Sequence, residues 1–197
     1  CYKTMNIIKK QTDEIAILEM SPMEMIMYVY DLVRNRVYTC ESDEETKFKS
    51  RDLSEILFGD KIVCLGYANI FYALLTYLGI ECHIVNLDSK DEEGIGHSRN
   101  AIYVKDPKYN IDGVYYFDPT WDCKKKEGSN SYLYSYRYFA KTKSFMDKND
   151  PDDLEEIGIS CYSEVLYKKV KETIESGEII KLRPYIATIN RMAYLVT

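Results

Sequence analysis

The chain has 197 residues and a mass of 23.1 kDa, room for one substantial core or at most two small ones. Twenty-six Lys and Arg against 32 Asp and Glu give a net charge of −6 and a pI near 5.1, which argues against a general nucleic-acid binder with its basic face. No apolar run approaches the roughly 20 residues of a spanning helix, so a membrane span is excluded and the composition is that of a soluble globular protein.

Six cysteines, Cys1, Cys40, Cys64, Cys82, Cys123 and Cys161, are scattered without a C-x-x-C or a repeated short spacing. They read as neither a zinc framework nor a dense disulfide scaffold. The start at Cys1 suggests a trimmed piece, and no signal peptide is visible. The compartment is left open, with the cytoplasm slightly favoured. No repeat, low-complexity tract or long Pro/Gly/Ser linker divides the chain, so a single domain over residues 1–197 is expected.

Ser21, Pro22 and Glu24 form a capping box with the favoured N1 proline. Met23, Ile26, Met27, Tyr30 and Val33 follow at helical spacing as one buried stripe. Residues 41–51 are polar and read as a loop. Asp52 and Glu55 look like a second capping box, opening a short helix that stops at Gly59. The next helix carries Cys64, Ala68, Phe71, Leu75 and Leu78 on one face and ends at Gly79, which places Cys64 at its N-terminus.

Strands are expected at 80–87, 100–105 and 114–118, the last two as an antiparallel hairpin around a turn-rich segment. An acidic, glycine-bearing loop, 88–96, separates the first two. Helices first and antiparallel strands after indicate α+β. Tyr132, Tyr134, Tyr136 and Tyr138 alternate as on a strand, an aromatic wall over the sheet in preference to a substrate platform. From Pro151 the pattern reads as helical, with an amphipathic segment at 161–176 and a strand at 178–182.

A thiol is a useful nucleophile as thiolate, and a helix N-terminus and a neighbouring imidazole both favour that form. Cys64 has the first. Of the two histidines, His83 sits inside an apolar strand and reads as packed or surface. His97 follows Gly94-Ile95-Gly96 out of a loop, where catalytic groups tend to sit. A base also needs a group to hold its tautomer. If 106–109 makes the turn, paired residues sum to 215, which sets His97 directly opposite Asp118; a longer turn brings Asp122 closer instead.

Val63-Cys64-Leu65-Gly66-Tyr67-Ala68, with Leu74-Leu75, Leu78-Gly79-Ile80 and Cys82, resembles the nucleophile helix of the transglutaminase-like superfamily. His97-Ser98-Arg99-Asn100 resembles its histidine motif, usually H-A-W-N, and Asp118-Pro119-Thr120-Trp121-Asp122 matches its third motif, D-P-T-W-D, in full. The resemblance covers about residues 22–146, is that of a small bacterial-type member, and leaves 151–197 as an extension. It implies a papain-like α+β core with Cys64 as nucleophile, His97 as base and Asp118 as orienting acid.

Ser98-Arg99 departs from the family pair, and Arg99 is expected to alter the substrate surface. The Cys64 N–H is a candidate oxyanion donor. The activity implied is acyl transfer from a carboxamide or peptide bond of a protein or peptide substrate, with hydrolysis slightly preferred over amine transfer. No metal or organic cofactor is implied, and the oligomeric state is left open. A peptidase in the same architecture and a non-catalytic peptide- or protein-binding module are the rival readings.

Overall fold

The computed structural model describes residues 9–10, 13, 20–39, 56, 61–90, 96–123, 125–126, 136–150 and 154–159. The expected helix at 52–59 (Ile56 apart), the loop at 41–51, the segments at 161–176 and 178–182, and Tyr132 and Tyr134 lie outside them.

Helix α1 runs Pro22–Arg34. Glu24 accepts a hydrogen bond from the Ser21 N–H (2.8 Å), while the Ser21 hydroxyl donates to Asp106 Oδ2 (2.6 Å). Asp106 also takes the Met23 N–H (2.9 Å), so a carboxylate from the far hairpin fills the helix's N-terminus. Its buried stripe is Ile26, Val29, Tyr30 and Val33. Met27, expected in that stripe, is 41% exposed. At about 100° per residue it points roughly a right angle away from the centre of the face formed by 26, 29, 30 and 33.

Helix α2, Cys64–Tyr77, is buried nearly all round, as a helix clasped between other layers must be. Its end is a Schellman motif: the Gly79 N–H donates to Thr76 O (3.0 Å) and the Ile80 N–H to Leu75 O (2.9 Å). Gly79 sits at φ +79°, a conformation open to glycine and strained for other residues.

The main sheet is antiparallel in the order β5-β4-β3-β7, formed by β3 (Cys82–Ser89), β4 (His97–Asp106), β5 (Ile111–Phe117) and β7 (Leu154–Ile159). One face receives α2 and α1: Ile84, Ile102, Val104 and Phe117 join Tyr30, Phe71 and Leu75 in one core. The other holds Val85, Leu87, Ala101, Tyr116 and Leu154 beneath α3 (Lys143–Asn149). This is the expected α+β arrangement, a helix packed on an antiparallel sheet.

Four expectations need correction. The β4–β5 pairing joins Ala101 to Tyr116 and Asn100 to Phe117, residues that sum to 217 and not 215. The turn is longer because a 3-10 helix (Pro107–Tyr109) is followed by Asn110 at φ 53°, with Asp106 Oδ1 capping Lys108 N–H. Residues 154–159 form β7, not helix; the open edge of β3 supplies hydrogen-bond partners that outweigh a weak local pattern. Tyr136 and Tyr138 lie in a turn: Tyr136 stacks on Tyr30, and Tyr138 packs on Trp121 and Phe145. The acidic loop also starts later than expected, since Asp88 and Ser89 are still in β3.

A small parallel ladder, in the order β2-β1-β6, had no sequence signal. Its strands β1 (Val37–Tyr38), β2 (Lys61–Ile62) and β6 (Lys125–Lys126) have two residues each, too few to show a period. It matters because β2 leads directly into Cys64.

Candidate active site

Cys64 is the first residue of α2. Val63 is extended before it (φ −93°, ψ 176°) and has no capping side chain, so the positive end of the helix is open beside the half-buried thiol. His97 is the first residue of β4, paired with Leu87 across the sheet. Its predecessor fixes where the strand begins: a Cβ at Gly96 would lie 2.8 Å from the Leu87 carbonyl oxygen, so only glycine lets the two backbones approach this closely. Asp118 is the residue after β5.

In the observed register Asp118 falls across from Arg99, one step diagonal to His97 and on the same face. The longer turn therefore does not bring Asp122 to the imidazole. His97 Nε2 lies 2.6 Å from Asp118 Oδ2, with His97 8% exposed and Asp118 fully buried. Asp118 Oδ1 accepts the N–H groups of Thr120 and Trp121 (3.1 Å each), its own N–H donates to Tyr138 O (3.0 Å), and its carbonyl is 2.9 Å from the Tyr30 hydroxyl. Asp118 is thus held at its carboxylate, its N–H and its carbonyl.

With Nε2 taken by Asp118, the hydrogen bond between His97 and Cys64 runs through Nδ1. Burial alone would raise the Cys64 thiol; the His97 hydrogen bond and charge and the Ser98 N–H outweigh it, and the thiol is held below its ordinary range. Burial would likewise lower His97, but the Asp118 charge and hydrogen bond, joined by Cys64, raise it to about 10. The two shifts favour the same state, a thiolate facing an imidazolium.

Asp122, the other acid weighed from the sequence, belongs to a different network. Its Oδ2 lies 2.7 Å from the Tyr30 hydroxyl and 3.0 Å from the Tyr138 amide nitrogen. Burial, then the Asp122 carboxylate, pushes Tyr30 well above the usual phenol range, so it stays a neutral donor. His83 sits on β3 beside Glu81 (3.3 Å), away from these groups in sequence and register.

Several contacts had only a partial signal in the sequence. The Trp121 indole lies flat on the His97 ring, with centroids 4.5 Å apart and an interplanar angle of 1°. Asn100 Nδ2 donates to Ala68 O (3.1 Å), tying β4 to α2 one turn below Cys64. Arg99, expected at the substrate surface, is completely buried: it donates to Asp150 Oδ1 (2.8 Å), and its guanidinium lies 5.4 Å from the Tyr116 ring centroid. The sheet's alternation does put it opposite Asn100, but that face is covered by α3. Among the described residues, no three or more His, Cys, Asp or Glu side chains gather as a metal would require, and no helix is long and apolar enough to cross a membrane.

A helix presenting a cysteine to a histidine and an aspartate from an antiparallel sheet defines a papain-like α+β architecture. The family model described as the transglutaminase-like superfamily matches residues 9–113, more than half of the chain, and the chain belongs to that superfamily. The matched span includes Cys64 and His97 and stops short of Asp118. Among solved structures, one described as the crystal structure of a TGase is similar at 17% identity and a TM-score of 0.49, covering 70% of this chain and 37% of that one. The chain thus spans little more than a third of the length of that protein. No curated protein matches.

Proposed function

We propose that this protein is a thiol acyl-transfer enzyme in which Cys64 is the nucleophile, His97 the general base and acid, and Asp118 the group that orients His97. The observation that carries the reading is the convergence of three elements on one ring: Asp118 at 2.6 Å from Nε2, Cys64 on the other nitrogen, and Trp121 flat against the face. Superfamily membership supports the same chemistry.

The Cys64 thiolate attacks a carboxamide carbonyl carbon, and a C–S bond forms as the carbonyl π pair moves to oxygen. The Cys64 N–H stands at the first position of α2, where the helix offers it no acceptor, and donates to that oxyanion. The C–N bond then breaks, and the departing amine or ammonia takes the Nδ1 proton of the imidazolium. Water, or a second amine, gives its proton to the neutral imidazole as it attacks the thioester, and the thiolate leaves with the imidazolium restored. Asp118 stays ionised throughout and keeps Nε2–H pointed at itself, so that Nδ1 serves the thiol.

Hydrolysis of an amide or peptide bond in a protein or peptide substrate is the outcome favoured, because the thioester is open to attack by water wherever the cleft does not shield it. The protein is read as a small, bacterial-type member of its superfamily. Incubation with a glutamine-containing protein and a labelled primary amine, with Cys64→Ala as control, tests the assignment. Ammonia or peptide release that requires Cys64 is expected. Amine incorporation would shift the reading to a transferase, and neither product across a broad substrate panel would contradict an enzymatic role.

A further inference from the structure

The Arg99–Asp150 pair stands out because β4, two positions after His97, carries a buried cation where the superfamily motif has tryptophan. Both members are desolvated, Arg99 completely and the Asp150 side chain to 4% exposure, and they meet at 2.8 Å. His97 and Arg99 are two positions apart on β4, so their side chains share a face and stand roughly 7 Å apart along the strand. Asp150 comes from a different element, the C-terminal end of α3, and closes over that face. The fit is incomplete: among the described residues, Arg99 Nε and Nη2 are buried without hydrogen-bond partners. A buried ion pair of this kind is weakly justified as a stability device.

We propose that Arg99 and Asp150 are positioning residues that set the charge around His97, with Asp150 adding a second negative charge to the imidazolium's surroundings and Arg99 limiting its reach. The groups facing His97 are then Cys64 from α2, Asp118 from the end of β5, Arg99 from β4 and Asp150 from the end of α3. Burial raises Asp150 above the usual carboxylate range, while Arg99 and then His97 pull it back, which is the reciprocal of the attraction proposed. This inference depends on the proposed function only for its catalytic consequence, since the charge at His97 can be read without any substrate.

The test is the ring-nitrogen NMR titration of His97 in the full chain, which holds only His83 and His97 as imidazoles. Asp150→Asn leaves Arg99 uncompensated and lowers the His97 midpoint by about one pH unit. Arg99→Met leaves Asp150 uncompensated; in the alkaline range where His97 titrates, that carboxylate is ionised, and the midpoint rises. The double variant returns towards the wild type. Should Asp150→Asn fail to fold, Arg99→Met carries the test alone, because its orphaned carboxyl can take a proton at lower pH. Opposed shifts support the proposal. A midpoint within about 0.2 units of wild type in a folded single variant, or shifts of the same sign in both, would overturn it. Loss of Cys64-dependent turnover in the substrate panel would instead count against the proposed function and leave these shifts unaffected.

Discussion

Replacing Asp118 by Asn preserves shape and removes one charge. Oδ1 still accepts the Thr120 and Trp121 amides at 3.1 Å, so the turn that follows β5 keeps its hydrogen bonds. The change falls on the 2.6 Å contact with His97. There the carboxylate oxygen becomes an amide nitrogen, which donates to Nε2 and forces the ring into the tautomer with Nδ1–H. That ring cannot accept the thiol's proton. A charge-assisted hydrogen bond in a buried setting contributes about 1.5–3 kcal/mol. For a chain of this size that is a loss of about 3–12 °C in Tm. The pH dependence has a definite sign. His97 is raised from 6.5 to about 10 in the folded protein, so its stabilisation is complete below about pH 6.5 and disappears as pH rises through about 10. Thermal melts of the wild type and Asp118→Asn should therefore differ most at pH 6 and converge towards pH 10. Alkylation of Cys64 by iodoacetamide at pH 6 should slow about tenfold or more, since one unit in thiol pKa is a factor of ten in thiolate. A stability gap that is constant with pH, or that widens towards pH 10, would refute the reasoning.

Three further outcomes follow from the same geometry. His97→Gln removes the imidazolium that opposes burial at Cys64, so the alkylation midpoint should climb above about 8.5, the value of a free thiol; a midpoint below that would mean another group holds the thiolate. Tyr30→Phe deprives Asp122 Oδ2 of the Tyr30 hydroxyl as a donor, and urea unfolding should show a loss of about 1–3 kcal/mol. Gly96→Ala sets a methyl group against the Leu87 carbonyl and displaces the start of β4; Cys64 alkylation at pH 6 should slow by at least about tenfold while far-ultraviolet circular dichroism stays native.

The parts of the fold legible in the sequence are those whose signals are local and repeated. The α2 helix announces itself by apolar spacing and by Gly79, whose positive φ completes the Schellman hydrogen bonds. The β4–β5 hairpin is legible as two β-branched runs flanking turn residues, but its register is not. One residue in the left-handed region, Asn110, and a single 3-10 turn shift the pairing by two, a change that alternation cannot reveal because it leaves every side chain on its own face. For the same reason His97 and Asp118 remain on one face and meet along a diagonal in place of a direct pairing. Alternation does not reveal the burial of Arg99, because it identifies a face and not what covers it; α3 and Asp150 supply that cover from some fifty residues away. The two-residue strands β1, β2 and β6 and the edge strand β7 arise from partners brought by tertiary structure, and no window of their own sequence encodes that.

The central claim is that Cys64 is held as a thiolate by His97, and the most direct measurement is mass-spectrometric mapping of all six cysteines after brief iodoacetamide treatment of the native protein between pH 5 and 9. Cys64 is expected to react first, and its rate to reach half its plateau below about 8.5, the midpoint of a free thiol. A Cys64 that reacts in the folded protein with a midpoint at or above that value, or that lags the other cysteines while open to solvent, would contradict it.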